Sequence, residues 1–199
     1  EEPRAAGLGA GIPIHEARAH MIVDIRAGTT HIAVLSLADV VVSATLRLAG
    51  DGMDEASVQH VKTNYNILIG PNTAEEIKIQ VGSACPCGQE TTFRVSGRDL
   101  IAGLPRQVTL TSEEVREALS GPVRQIVDGI RSALEKTGPE LSSDLLEDGM
   151  TLSGGSVLLP GLPQVIHEET GLPVHVAEEP LLAVARGTAV FLERLDDFK

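Results

Sequence analysis

The first quarter of the chain contains three short segments that are rich in β-branched residues and separated by polar breaks. They cover residues 21–25, 30–36 and 40–48. Segments of this length and composition predict a meander of three strands. The first break, Arg26-Ala27-Gly28-Thr29, is very short. A turn that tight normally recruits glycine, because glycine adopts positive φ freely.

Helical spacing is clearest after Thr111. Thr111 and Glu114 have the spacing of a capping box, and apolar residues then recur every three to four positions. Pro122 is expected to kink this helix, and Gly138-Pro139 is expected to end it. Other helices are predicted over residues 51–67, 73–81, 162–170 and 180–195, the second of them starting at a capping box of Thr73 and Glu76.

Further strands are predicted at residues 91–95, 107–110, 150–152 and 174–176. The order is a β-meander, helices, a small β unit, a long helix, and then alternating strands and helices. This order predicts an α/β fold. Residues 52–110 are expected to be an insertion between two parts of one larger unit, residues 1–51 and 111–199.

The amino-acid composition excludes some classes of function. Hydrophobic residues make up 42% of the 199 residues and aromatic residues only 2%, so the core is aliphatic, as in α/β proteins. The formal net charge of −12 and the scarcity of rings argue against nucleic-acid binding. No segment approaches the roughly 20 apolar residues that cross a bilayer. The chain begins with Glu and shows no secretory signal, so we expect either a processed chain or a piece cut from a longer protein, and the composition is compatible with the cytoplasm.

Two cysteines, Cys85 and Cys87, have the alternatives of binding a metal or oxidising, but are expected to be reduced thiols in a turn. Two ligands at this spacing do not make a metal site, and no histidine lies nearby in the sequence.

One candidate binding segment runs from Asp24 to Thr30. A turn between two strands directs backbone N–H groups at one point, where an anion such as phosphate satisfies them. Thr29 and Thr30 add hydroxyl donors, and Asp24 is placed to hold Mg²⁺ through water. The same residues are also compatible with an ordinary hairpin that has a capping aspartate.

Two other segments carry possible nucleotide chemistry. Gly154 and Gly155 precede Ser156 after a predicted strand, and paired glycines let a ring or a phosphate approach the backbone closely. A plain strand-to-helix turn has the same pattern. Glu75 and Lys78 share a helix face, where they either grip ribose hydroxyls or form a solvated ion pair.

These three segments occur in the order, and at about the separations, found in the second half of the actin, Hsp70 and sugar-kinase superfamily. Essentially the whole chain resembles the second half of a bacterial actin of the MreB type. The matching motifs are Glu2-Pro3, Met21, Val23-Asp24-Ile25, Gly28-Thr29-Thr30, Gly50-Asp51, Asp54-Glu55-Ala56, Asn64-Tyr65, Leu68-Ile69-Gly70, Thr73-Ala74-Glu75, Ile77-Lys78, Gly82-Ser83-Ala84, Glu117-Ala118-Leu119, Pro139-Glu140-Leu141, Gly149-Met150, Gly154-Gly155, Glu168-Glu169-Thr170-Gly171, Pro173-Val174 and Ala183-Val184-Ala185-Arg186-Gly187.

The resemblance implies an actin-like, ribonuclease H-like half: a mixed sheet with helices, and an inserted small α+β subdomain. It implies ATP and Mg²⁺ as ligands, with a phosphate loop after the first strand and Asp24 toward the metal. It places the side chains of Glu75 and Lys78, from one helix, near the ribose and base. It places the turn of Gly154, Gly155 and Ser156 near the adenine and its sugar. The residues assigned in this way are Asp24, Arg26, Ala27, Gly28, Thr29, Glu75, Lys78, Gly154, Gly155 and Ser156.

The resemblance also implies a function. The whole protein would be an actin-like ATPase that forms filaments and maintains bacterial cell shape. Its partners would be further copies of itself or a full-length homologue, and a membrane-spanning adaptor of the shape machinery. The family's membrane-inserting elements and its water-positioning residue lie in the other half. This chain alone is therefore expected to be inactive in hydrolysis, to contain no catalytic residue and not to bind membranes directly.

The phosphate loop departs from the family pattern, because Arg26 and Ala27 replace two glycines. If either position required positive φ, strain of about 1–2 kcal/mol would follow. Arg26 also adds a bulky cation that either weakens nucleotide binding or pairs with phosphate. The alternative function is therefore a degenerate interaction module that regulates filaments without nucleotide. A sugar kinase is disfavoured, because those proteins lack the MreB-like run over residues 50–84.

Overall fold

The first sheet has five strands in the order β3-β2-β1-β7-β8. The structure, a computed structural model, describes residues 2–193. Strand β1 pairs antiparallel with β2 and parallel with β7, so the sheet is mixed. The strands are β1 (His20–Ile25), β2 (Thr30–Ser36), β3 (Asp39–Leu46), β7 (Met150–Ser153) and β8 (Val174–Val176).

The central strand β1 is buried on both faces, which explains its nearly continuous apolar sequence. Met21, Val23 and Ile25 belong to the main apolar cluster, on the side of the long helix α4. Ile22 points to a smaller cluster, which includes Ala6 from α1. The helices of this region are α1 (Glu2–Gly9), α4 (Ser112–Glu135), α5 (Pro139–Asp148), α6 (Leu162–Thr170) and α7 (Ala183–Glu193).

The second sheet is antiparallel and has three strands in the order β4-β5-β6. It lies with two helices between β3 and α4 in the chain. The main apolar cluster continues from the first sheet into this region, through Met53, Ile67 and Ile77. A boundary near residues 51 and 111 stays a prediction. The elements here are α2 (Gly50–Tyr65), β4 (Ile67–Leu68), α3 (Pro71–Val81), β5 (Thr92–Asp99) and β6 (Pro105–Thr111).

The predicted capping boxes had opposite outcomes. At α4 the box is confirmed: Glu114 N donates to Thr111 Oγ1 at 3.2 Å, and Thr111 N donates to Glu114 Oε2 at 3.1 Å. At α3 it is wrong, because the helix already begins at Pro71, with Gly70 as N-cap and no side-chain cap. Proline fits the first helical position because the missing N–H would be unpaired there.

Helix α5 was not predicted, since Gly138-Pro139 was expected to lead directly into a strand. Only Leu145 of this helix is fully buried, and Leu141, one helical turn earlier, packs partly buried against the main apolar cluster. Helix α4 runs through Pro122 without ending. Helix α7 begins at Ala183, three residues later than predicted, and the predicted residues 194 and 195 lie outside the described part. No described helix is long and apolar enough to cross a membrane.

Candidate functional site

A cavity of about 810 Å³ lies where the β1–β2 turn, the start of α2, the helix α3, the turn after β7 and the segment before α7 meet. Eight of the ten residues assigned from the sequence line it, whereas Gly28 and Thr29 do not. The eight are Asp24, Arg26, Ala27, Glu75, Lys78, Gly154, Gly155 and Ser156.

Asp24 stands at the end of β1, opposite Ser153 in the neighbouring parallel strand. Its side chain is 2% exposed. The Ser153 hydroxyl donates to Oδ1 at 2.8 Å, whereas Oδ2 accepts no hydrogen bond from the described residues. The nearest cation is Arg26, whose Nε lies 3.3 Å from Oδ2. Burial raises the pKa of Asp24, and the Ser153 hydrogen bond and the Arg26 charge only partly oppose this shift.

The raised pKa of Asp24 predicts a pH-dependent contribution to stability. The folded chain holds the Asp24 proton more tightly than the unfolded chain does. In the unfolded chain the Asp24 carboxyl has its ordinary pKa of about 3.8. This contribution is fully present below pH 3.8 and is lost as the pH rises through the folded value. Urea unfolding should therefore show that the wild-type chain loses stability relative to Asp24→Asn between pH about 4 and pH 7. A difference that stays constant, or that changes in favour of the wild type, would contradict this.

The β1–β2 turn is anchored to neighbouring segments by hydrogen bonds that its carbonyl groups accept. Arg26 O accepts hydrogen bonds from Gly50 N at 3.1 Å and from the Ser156 hydroxyl at 2.5 Å. Ala27 O accepts from Asp51 N at 2.8 Å. Neither Arg26 nor Ala27 has positive φ, so the backbone strain considered for these positions does not arise. The turn therefore keeps a defined shape without glycine at these two positions.

The Arg26 guanidinium is paired within the chain. Its Nη1 lies 2.5 Å from Glu2 Oε1, and its Nη2 donates to Thr29 Oγ1 at 3.3 Å. Together with the contact to Asp24, these bonds surround the cation with two carboxylates. Gly28 does not line the cavity, and an added Cβ there would stand 3.4 Å from Asp51 Oδ2.

Lys78 does not form the ion pair with Glu75 that was one of the two alternatives. Its Nζ pairs with Asp54, 3.0 Å from Oδ2, and donates to Gly50 O at 3.4 Å. Burial raises the pKa of Asp54, and Lys78 acts in the opposite direction. Glu75 is exposed and lines the cavity beside this pair.

Gly154 brings the turn after β7 against the β1–β2 turn. Its φ is +89°, and an added Cβ would lie 2.2 Å from Ile25 O. Only glycine allows this approach. The short 3₁₀ helix Gly155–Leu158 follows, and it carries the Ser156 hydroxyl that binds Arg26 O. Two segments more than a hundred residues apart in the sequence thus form one wall.

Sequence reasoning missed twelve lining residues. Asp51 and Asp54 were noted only as matching motifs, without a role. Val184 also lay in a matching motif, and the other apolar members carried no signal, because sequence alone does not show which apolar side chains line a cavity. The missed residues are Gly50, Asp51, Asp54, Pro71, Asn72, Ile79, Leu158, Leu159, Pro160, Pro180, Leu181 and Val184. The described residues contain no cluster of three or more side chains of the kinds that usually hold a metal ion.

Comparison with known sequences identifies relatives along the whole chain. The MreB/Mbl protein family matches residues 1–199. The chain is 50% identical over 196 residues to the cell shape-determining protein MreB of Escherichia coli K12, covering 98% of this chain and 56% of that protein. It is 44% identical to the cell shape-determining protein Mbl of Bacillus subtilis 168, with coverages of 98% and 59%. The chain thus spans a little over half the length of these relatives.

Solved structures give the same result. MreB5 of Spiroplasma citri bound to ADP superimposes with a TM-score of 0.96 at 36% identity, covering 99% of this chain and 60% of that chain. The MamK double helical filament superimposes with a TM-score of 0.79 at 25% identity, with coverages of 98% and 59%. The predicted α/β class with a mixed, actin-like sheet is confirmed. Matched over its full length in sequence and in fold, the chain belongs to the MreB/Mbl protein family.

Proposed function

We propose that this chain forms one wall of the ATP site of an actin-like filament protein that maintains bacterial cell shape. The observation that carries the proposal is the convergence of the three sequence segments on one cavity of about 810 Å³. The names of the relatives support the cellular role. The nucleotide is supported by MreB5 of Spiroplasma citri, whose structures hold AMPPNP and ADP.

In the proposed complex, the phosphates lie at the β1–β2 turn and Mg²⁺ is held by Asp24 through water. Mg²⁺ commonly uses one or two protein carboxylates and keeps several waters, so three clustered ligands are not required. The buried Oδ2 of Asp24, which accepts no hydrogen bond from the described residues, fits this role. Binding would have to displace Arg26 from that oxygen.

The ribose and base are proposed to lie between α3 and the turn after β7. The exposed carboxylate of Glu75 is placed to accept hydrogen bonds from ribose hydroxyl groups. Ile79, Leu158 and Leu181 add apolar surface for a base, and all three are more than half exposed. This mixture of apolar walls and few polar groups is typical of small-ligand sites.

The proposal is tested by titrating the chain with Mg·ATP in a calorimeter. Replacing Glu75 by alanine is expected to weaken binding about fivefold, because one charge-assisted hydrogen bond is lost. Glu76→Ala is the matched control, since Glu76 is the next residue of the same helix, is exposed, and does not line the cavity. Equal affinities for the two variants would contradict the assignment of Glu75.

The exposed apolar rim is proposed to contact another copy of the chain. Leu181 is 68% exposed there, and the related MamK assembles into a double helical filament. Sedimentation velocity is expected to show that the chain self-associates as its concentration rises. Leu181→Ser should reduce this self-association. The control Ile101→Ser, which alters an exposed side chain outside the cavity, should reduce it less. A clean monomer at high concentration would refute self-association through this rim.

A membrane-spanning adaptor as partner and a cytoplasmic location stay predictions.

A further inference from the structure

Two thiols lie together beside the cavity, in the loop that follows α3. The Sγ atoms of Cys85 and Cys87 are 3.5 Å apart. Cys87 is exposed, and Cys85 is half-buried against Gln164 Oε1, which is 3.5 Å from its sulfur. The described residues place no third metal-binding side chain in a group with them, so a metal site is not supported.

The backbone fixes the place where the two sulfurs meet. Ala84 N donates to Pro160 O at 2.7 Å and ties the cysteine loop to the turn before α6. Both sulfurs rest on Gly161, where an added Cβ would lie 2.5 Å from Cys85 Sγ and 2.7 Å from Cys87 Sγ. Gly161 has φ of +78°, which glycine adopts freely. Its missing side chain thus leaves the space in which the thiols approach each other.

We propose that Cys85 and Cys87 form a reversible intramolecular disulfide when the chain meets a small-molecule disulfide oxidant. Side-chain rotation has to shorten the sulfur–sulfur distance from 3.5 Å to about 2.05 Å. A bond that closes so short a loop is strained, and strained disulfides are more easily reduced. The short loop therefore favours a disulfide that is made and broken by redox conditions, in place of a permanent crosslink.

The reaction proceeds by two thiol–disulfide exchanges. The thiolate of the exposed Cys87 attacks one sulfur of the oxidant RSSR, forms a mixed disulfide and releases RS⁻. Cys85 then attacks the Cys87 sulfur and releases a second RS⁻. The two thiol protons leave on the two products, so one RSSR is reduced to two RSH while the two cysteines are oxidised.

The order of attack follows from burial. Burial and the neighbouring Cys87 raise the pKa of Cys85 to about 11, so little Cys85 thiolate exists near neutral pH. Once Cys87 carries the mixed disulfide, Cys85 is already beside its target. Glu168 adds to this shift of the Cys85 pKa, and Arg116 acts against it.

The test uses the 199-residue chain in buffers with defined ratios of oxidised to reduced glutathione, followed by alkylation and intact-mass measurement. The expected product has lost two hydrogen atoms, carries no alkyl group and no glutathione, and returns to the dithiol with reductant. The variant Cys85→Ser should take one glutathione at Cys87, about tenfold faster than Cys87→Ser takes one at Cys85, because Cys87 is exposed and Cys85 is half-buried. Two glutathiones per chain, or disulfide-linked dimers as the main product, would overturn the proposal.

A second measurement separates the effect of the fold from the effect of short sequence spacing. The same titration in urea removes the Gly161 contact and the bond from Ala84 to Pro160. The folded chain is expected to form the internal disulfide at a glutathione ratio about tenfold less oxidising than the unfolded chain. An equal ratio in both states would show that the fold contributes nothing, and would also overturn the proposal.

Discussion

Alanine at Gly154 is expected to lower the free energy of unfolding by about 3–5 kcal/mol, the largest loss among the substitutions considered. The backbone at Gly154 has φ of +89° and ψ of 163°, a region almost restricted to glycine. The new Cβ would also lie 2.2 Å from Ile25 O, so the turn after β7 would have to move away from β1. The same movement would separate Ser156 from Arg26 O and abolish nucleotide binding.

Gly171→Ala provides the control for this substitution. Gly171 also has positive φ, at +72°, but an added Cβ there meets nothing within 4 Å. Its expected cost is the backbone strain alone, about 1–2 kcal/mol. Urea unfolding of the two variants measures the difference. Equal losses of stability would show that the contact between Gly154 and Ile25 is not a close one.

Replacing Arg26 by alanine is expected to tighten Mg·ATP binding about tenfold, because the substitution frees Asp24 from a neighbouring positive charge. The guanidinium already has the carboxylates of Glu2 and Asp24 as neighbours, so it offers little unpaired charge to a phosphate. Alanine suffices in place of glycine, because φ at this position is not positive. Calorimetric titrations with and without Mg²⁺ measure the effect, and the gain should require the metal.

Arg131→Ala controls for the change in net charge. Arg131 forms a surface ion pair with Glu169 and does not line the cavity. Its removal is expected to leave affinity for Mg·ATP unchanged. If Arg26→Ala bound Mg·ATP more weakly than the wild-type chain, Arg26 would instead be a phosphate ligand, the other alternative for this position.

Much of the fold could be predicted from local sequence. Strands β1 and β2 are short apolar segments between polar breaks, and both were placed correctly within one residue. Helix α5 was missed because Gly138-Pro139 was interpreted only as the end of α4, although Pro139 suits a first helical turn and Leu141 and Leu145 lie one helical turn apart. The start of α3 was misplaced because the Thr73 and Glu76 spacing imitates a cap that Gly70 and Pro71 make unnecessary.

The sequence predicted which segments form the site, but not which side chains contact each other there. Asp54 and Lys78 are 24 residues apart, and nothing in the sequence indicates that they pair across α2 and α3. The shape of the β1–β2 turn was also inaccessible, because the φ of Arg26 depends on the bonds that its carbonyl makes to Gly50 and Ser156. Tertiary contacts of this kind are set by the whole fold.

An NMR titration of the ¹⁵N-labelled chain with Mg·ATP, read at its glycine amides, shows whether this chain forms one wall of an ATP site. We expect concentration-dependent shifts at Gly50, Gly154 and Gly155, which line the cavity, and none at Gly121 and Gly171, which do not. Shifts confined to other regions, or no shifts at millimolar nucleotide, would contradict an ATP wall in this chain and favour an interaction module that works without nucleotide.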